Sequence, residues 1–104
     1  MHSYRVRLSQ SATKDLDRAL CWYDAESKAL GDRFLKRYTQ QRNALARNPN
    51  LYATFAPAVR RCTLKPFPYH VYYHVLTESK EVIIVAIYHE ARDQAVLFDR
   101  IREY

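Results

Sequence analysis

The chain is poor in the residues that form phosphate loops and cross-links. It has one glycine and two cysteines among 104 residues. A single glycine excludes a glycine-rich phosphate loop. The cysteines, Cys21 and Cys62, have no C-x-x-C spacing, and one falls in a helical pattern while the other falls in a strand pattern. We therefore expect both to be reduced, small core residues of a cytosolic protein.

Long apolar runs are also missing. No run approaches the roughly 20 residues of a membrane-spanning helix, and the amino-terminal sequence MHSYRVRL lacks the apolar segment of a signal peptide. The length is that of one domain, and 48% hydrophobic residues are enough for a core. These features predict a single domain over residues 1–104, in the cytoplasm and without a membrane partner.

Acidic residues are absent from the middle of the chain. None occurs between Asp32 and Glu78, so the net charge of +6 is concentrated there. Such a run is either a solvated helix face or a surface that meets nucleic acid or an acidic protein segment. The cations of this stretch are Arg33, Lys36, Arg37, Arg42, Arg47, Arg60, Arg61 and Lys65.

The first half of the chain predicts a short strand followed by two helices. Residues 4–8 alternate between apolar and basic, as a strand with one buried face does. Ser9 is a suitable N-cap, and a break at Ser27–Gly31 separates two patterns of helical period before Asn48-Pro49 ends the second. We expect an antiparallel helical hairpin. Its apolar stripes are Ala12, Leu16, Ala19, Leu20 and Tyr23, then Leu30, Phe34, Tyr38 and Leu45.

The second half changes to the alternating period of strands. It predicts strands at 58–64, 69–76 and 82–89, with a polar turn at 77–81, and the apolar run VIIVAIYH is the predicted central strand. Short loops between these strands make them antiparallel. Residues 93–103 predict a terminal helix on Val96, Leu97 and Ile101. The predicted fold is α+β in the order β-α-α-β-β-β, with the helical hairpin packed on one face of a small, mostly antiparallel sheet.

Strand alternation selects residues for the predicted open face of the sheet. Tyr69, Val71, Tyr73 and Val75 are the better core set of their strand, so His70, Tyr72 and His74 should face the open side. In the preceding strand Cys62 and Leu64 should face the core. Arg60 should then lie toward the helices or the rim, and Arg61 on the open side, unless a bulge exchanges them.

These side chains exclude some chemistries and leave others open. His70 and His74 would lie about 13 Å apart along a strand, too far to share a zinc ion, so we predict no metal and no cofactor. The few serines fall at caps or turns, which gives no support for a nucleophilic triad. General acid–base cleavage of RNA could use His70, His89, Tyr72, Arg61 and Lys65. Alternatively, these aromatic residues and histidines simply complete a half-buried sheet.

The order of several short motifs resembles a known group of proteins. They are Ala12…Asp15-Leu16, Trp22-Tyr23, Arg33-Phe34-Leu35, Asn48-Pro49, Val59-Arg60-Arg61, Phe67-Pro68-Tyr69…Tyr72-Tyr73 and Ala86…His89-Glu90-Ala91-Arg92-Asp93. Over nearly its whole length the chain is similar to the ParE/RelE superfamily of type II toxin–antitoxin toxins, also called plasmid stabilisation proteins.

The resemblance implies one of two activities. RelE-like and YoeB-like members are ribosome-dependent mRNA endonucleases, whereas ParE-like members inhibit DNA gyrase without cleaving RNA. This chain has His70 where the YoeB-like branch has an arginine, and His89-Glu90 where that branch ends its last strand with His-Tyr. The FPY and H-x-A-R-D motifs are closer to ParE-like sequences, although Gln94 stands where those chains often have proline.

The resemblance therefore implies a bacterial ParE-like gyrase inhibitor that is not an enzyme and is neutralised by a cognate antitoxin. One alternative is a ribosome-dependent mRNA endonuclease with His89, His70, Arg61 and Tyr72 as candidate catalytic residues. Another is an inactive relative that acts as a binding module. The residues expected to bind antitoxin or target are Arg33, Lys36, Arg37, Arg60, Arg61, Lys65 and Arg92.

Overall fold

A computed structural model describes residues 3–104 and confirms the predicted α+β fold. The elements are β1 (Arg5–Leu8), α1 (Gln10–Glu26), α2 (Lys28–Arg47), a 3-10 turn (Pro49–Leu51), β2 (Thr54–Ala56), β3 (Val59–Thr63), β4 (Tyr69–Leu76), β5 (Glu81–His89) and α3 (Gln94–Ile101). The terminal helix predicted at 93–103 is present. The three-residue strand β2 was not predicted, because it is too short to show an alternating pattern.

The strands form one sheet in the order β1-β5-β4-β3-β2. β1 runs parallel to β5, and the other neighbouring pairs are antiparallel. β5 lies between β1 and β4 and is buried from Val82 to Tyr88, as expected of the most apolar segment. A register shift against β4 leaves Val85 as an extra residue in β5.

The helical hairpin has a connection of one residue. Ser27 ends α1, and its hydroxyl oxygen accepts a hydrogen bond from the Leu30 N–H at 3.0 Å, so the same residue caps α2. The predicted break at Ser27–Gly31 is therefore wrong in extent, and Gly31 lies inside α2. A Cβ at Gly31 would lie 1.7 Å from Asp24 Oδ1. Gly31 thus allows the two helices to approach closely, and it does not terminate a helix.

The sheet has a hydrophobic core on each face. The helical hairpin covers one face, where Phe34, Leu45, Val71 and Tyr73 are buried together. On the other face, Leu97 and Ile101 of α3 are buried against residues of the sheet. These are Val59, Tyr72, Ile83, Val85, Ala86 and Tyr88. The expectation of a partly open face is thus wrong for its central part, because α3 docks there and leaves Tyr72 only 1% exposed.

Two smaller expectations about burial are also wrong. Val96 is exposed, because the buried line of α3 runs through Leu97 and Ile101, four residues apart. Cys21 is exposed on the outer side of α1, whereas Cys62 is buried as predicted. Both cysteines are free thiols. Burial raises the pKa of the Cys62 thiol to about 12, so this residue is a small apolar core residue and not a nucleophile.

A buried ion pair completes the edge of β5 where β1 ends. The last register pair is Leu8 with Ile84, and within residues 3–104 no strand pairs with this edge of β5 beyond that point, while β4 still pairs with the opposite edge. The Ile87 N–H donates instead to Asp15 Oδ2 of α1 at 3.0 Å. Arg100 Nη1 of α3 donates to the Val85 carbonyl at 3.1 Å and to Asp15 Oδ2 at 2.6 Å. Two side chains thus satisfy the strand edge and join α1, β5 and α3.

Replacing Asp15 with alanine should lower the free energy of unfolding by about 3 kcal/mol, because the Ile87 N–H and the largely buried Arg100 both lose their partner. Urea denaturation would measure the change. The control is Asp17→Ala, which removes an exposed carboxylate from the same helix and should stay within about 0.5 kcal/mol. Equal effects of the two substitutions would contradict the role of Asp15.

Candidate functional site

The sheet divides the residues that sequence analysis grouped as one candidate catalytic set. In the β4–β5 register Tyr69 lies opposite His89, and His70 lies opposite Tyr88. Neighbouring residues of a strand point to opposite faces. His89 therefore packs on Tyr69 on the hairpin side, with ring centroids 5.1 Å apart. His70 lies on the α3 side, 6.2 Å from the ring of Tyr72. The structure brings Arg61, His70 and Tyr72 to one face and His89 to the other.

Tyr72 and Arg61 form a packed aromatic group with Phe55. The Tyr72 ring makes an edge contact with Phe55 at 4.9 Å between centroids. The exposed Arg61 guanidinium lies over the same Phe55 ring at 5.3 Å, a cation–π geometry. Tyr72 is therefore a core side chain, and Arg61 is the exposed cation of this group.

His70 is a partly buried histidine between charges of opposite sign. Its Nε2 lies 3.6 Å from Glu90 Oε2, and its buried Nδ1 has no hydrogen-bond partner among the described residues. Burial lowers the pKa of His70, and the nearby Arg61 charge lowers it further, whereas Glu90 acts in the opposite direction. The imidazole is therefore neutral at neutral pH.

His89 lines a cleft of about 240 Å³ between α1 and the carboxyl end of β5. The Ala91 N–H donates to His89 Nδ1 at 3.0 Å, so in the neutral ring the proton is on Nε2. The other lining residues are Asp15, Arg18, Ala19, Tyr69, Ile87 and Arg92.

Sequence reasoning missed Asp15, Arg18 and Arg100 as residues of this region. The available signal was the i,i+3 spacing that puts Asp15 and Arg18 on one face of α1. That spacing becomes informative only when the end of β1 is known, because the cleft lies beside the part of β5 that β1 does not reach.

Two predicted binding residues make internal hydrogen bonds. Arg37 donates to the carbonyl oxygens of Lys65 and Thr63, at 2.7 and 3.1 Å, and so fastens α2 to the end of β3. Arg60 donates to the Tyr52 carbonyl at 2.6 Å. Both side chains therefore hold the backbone of neighbouring segments.

The other predicted binding residues differ in exposure. Arg33, Lys36, Arg61 and Lys65 are exposed, and none takes part in an ion pair within residues 3–104. The Arg92 guanidinium lies over the Tyr88 ring at 4.4 Å and is partly covered. The exposed four are the cations that a partner could reach without disturbing the fold.

Residues 3–104 contain no group of three or more His, Cys, Asp or Glu side chains that could hold a metal ion. In the same residues, no helix has both the length and the apolar character needed to cross a membrane.

The pKa of His70 should respond in opposite directions to two neutralising substitutions. Arg61→Gln removes a cation and should raise it, whereas Glu90→Gln removes an anion and should lower it. NMR titration of the His70 ring protons in both variants would measure the changes. Shifts in the same direction would contradict the charge assignment.

The stability of the wild-type protein should also depend on pH through His70. Since the folded pKa lies below the ordinary value, the unfolded chain takes up the proton first as the pH falls. This contribution is present above about pH 6.5 and declines below it. His70→Gln should reduce that decline, as measured by urea denaturation between neutral and mildly acidic pH.

Comparison with known proteins finds one matching family and similar solved structures. Residues 6–94 match the family described as "ParE toxin of type II toxin-antitoxin system, parDE". A chain of the chromosomal ParDE TA system from P. aeruginosa is similar in structure, with a TM-score of 0.71, 22% identity, and coverage of 86% of this chain and 98% of that one. A free mutant of the E. coli toxin RelE has a TM-score of 0.64, 15% identity and 97% coverage of both chains. No curated protein matches. The family match covers most of the sequence, and the chain belongs to the ParE toxin family of type II toxin–antitoxin systems.

Proposed function

We propose that this toxin inhibits DNA gyrase by binding to it, without a chemical step of its own, and that a cognate antitoxin neutralises it. The choice of gyrase over RNA as the target rests on one observation, namely that His70 and His89 lie on opposite faces of the sheet. Family membership supports the toxin class, and the separation argues against the nuclease alternative.

Cleavage of RNA by its own 2′-hydroxyl needs a base, an acid and a cation around a single phosphate. His70 and His89 lie on opposite faces of the sheet, so they cannot both reach one phosphate. On the His70 face Tyr72 is buried, and the Glu90 carboxylate beside His70 would repel a phosphate. Neither face assembles the predicted catalytic set.

The exposed surface suits a binding protein. Arg33 and Lys36 lie on the outer side of α2 in the long stretch without acidic residues. Two large apolar side chains are exposed on the same hairpin, Trp22 at 66% and Leu35 at 43%. Tryptophan and arginine are enriched among residues that dominate binding energy. We therefore propose that the hairpin meets protein partners.

An acidic, amphipathic antitoxin segment would gain charge pairing and apolar burial together on this surface. It would also become ordered on a surface that is already formed. We propose Arg33, Lys36, Arg61 and Lys65 as the cations that contact antitoxin or target. Arg37 and Arg60 would act indirectly, by holding the backbone that presents them.

Ribosome-dependent RNA cleavage is the second candidate, and one observation favours it. His89 lies in a cleft with Arg18 and Arg92, so this face holds a histidine and two cations without His70. The two candidates differ in what they require of His89. A nuclease would need its imidazole for proton transfer, whereas a gyrase inhibitor would need only the folded surface.

The deciding experiment measures supercoiling by purified gyrase with the toxin and its His89→Ala variant. Under our proposal both inhibit, and the antitoxin reverses both. Arg33→Glu with Lys36→Glu should weaken inhibition by about tenfold or more, because charge reversal opposes an acidic partner. The control reverses two exposed cations elsewhere, Lys14 and Arg102.

Other results would assign a different function. Ribosome-dependent mRNA cleavage that His89→Ala abolishes, with no effect on gyrase, would contradict the proposal and support the nuclease. A folded protein that binds antitoxin but affects neither gyrase nor mRNA, and does not arrest growth, would indicate an inactive relative.

A further inference from the structure

The cleft beside the free edge of β5 carries positive charge that no acid of the described chain neutralises. Its one carboxylate, Asp15, is already paired with Arg100 at 2.6 Å and accepts the Ile87 N–H. Arg18 and Arg92 also line the cleft, and neither takes part in an ion pair within residues 3–104. Two guanidinium charges are therefore left without a counter-ion.

Two further hydrogen-bond donors belong to residues of the same lining. Because His89 Nδ1 accepts the Ala91 N–H, the Nε2–H of the neutral ring is left to donate to a ligand. The Tyr69 hydroxyl makes no hydrogen bond among the described residues and belongs to the same lining. Burial raises the pKa of Tyr69 and Tyr23 adds to the rise, whereas Arg18 and Arg92 both lower it. The two arginine side chains and Tyr69 line the same cleft.

The donors come from separate elements. Arg18 projects from α1, Tyr69 and His89 from β4 and β5, and Arg92 from the turn after β5. A ligand in this cleft would therefore contact side chains of separate elements. Arginine also binds phosphate oxygens in a bidentate manner.

We propose that this cleft binds a dianionic phosphate, either inorganic phosphate or a phosphate monoester, through Arg18, Arg92, His89 and Tyr69. A phosphate monoester carries about −1.5 to −2 charge at pH 7, which balances two guanidinium groups. A carboxylate or a phosphodiester carries one negative charge and would leave one cation unbalanced. This inference goes beyond inhibition of gyrase and does not depend on it.

The test titrates inorganic phosphate into the full-length protein at constant ionic strength and follows the imidazole nitrogen signals of His89 by NMR. Saturable shifts are expected for the wild type. Arg18→Gln with Arg92→Gln should weaken binding by about tenfold or more, since it removes two charge-assisted contacts. Arg33→Gln with Lys36→Gln removes the same charge outside the cleft and should leave the affinity unchanged.

Three further ligands identify the chemistry. Adenosine monophosphate that binds at least as tightly as inorganic phosphate would identify the ligand as a monoester, whereas weaker binding would identify it as free phosphate. Acetate and dimethyl phosphate test the charge requirement, and equal affinity for either would overturn the assignment to a dianion. Folded wild-type protein without a saturable shift would overturn the site, as would equal losses in the cleft variant and its control.

These measurements involve neither gyrase nor antitoxin. Their failure would leave the proposed inhibition standing, and a failure of the supercoiling experiment would leave the phosphate site standing. The two proposals can therefore be judged separately.

Discussion

The architecture depends on the ion pair between Asp15 and Arg100. β5 is the most buried strand, yet its parallel neighbour ends opposite Ile84. A buried strand edge must satisfy its backbone groups, and here one carboxylate and one guanidinium do so for Ile87 and Val85. This arrangement positions α1 at the sheet edge and α3 across the second face. It also leaves beside β5 the space that becomes the cleft of His89.

The docking of α3 changes the chemistry of the residues beneath it. It converts the second face of the sheet from an open surface into a core with Tyr72 and Tyr88 fully buried. His70 then lies at the margin of that core, where burial favours the neutral ring. Exposed cations remain on the hairpin, at Arg33 and Lys36, and on and after β3, at Arg61 and Lys65. The proposed partner surface and the proposed anion cleft, which is lined by Arg18 and Arg92, share no cation.

Regular periodicity explains most of what could be predicted from the sequence. The element order followed from helical and alternating patterns, and the alternation of β3 and β4 put Cys62, Leu64, Val71 and Tyr73 in the hairpin-side core, as observed. Features that depend on contacts between distant parts of the chain could not be predicted from the sequence. The burial of Tyr72 required the docking of α3, and the internal hydrogen bonds of Arg37 and Arg60 required carbonyl groups of distant loops. The separation of His70 and His89 required the strand register.

The single-residue connection at Ser27 has a consequence for how the hairpin can change over evolution. Successive residues of an α-helix lie about 100° apart around its axis. The length of the link therefore fixes which face of α2 is turned toward the sheet when α1 is in place. One added helical residue would turn the buried line of Phe34 and Leu45 away from the sheet and carry Arg33 and Lys36 toward it. The length of this joint therefore sets which face of α2 packs on the sheet and which cations it presents outward. An insertion or deletion in the joint would therefore alter the core and the exposed basic surface together.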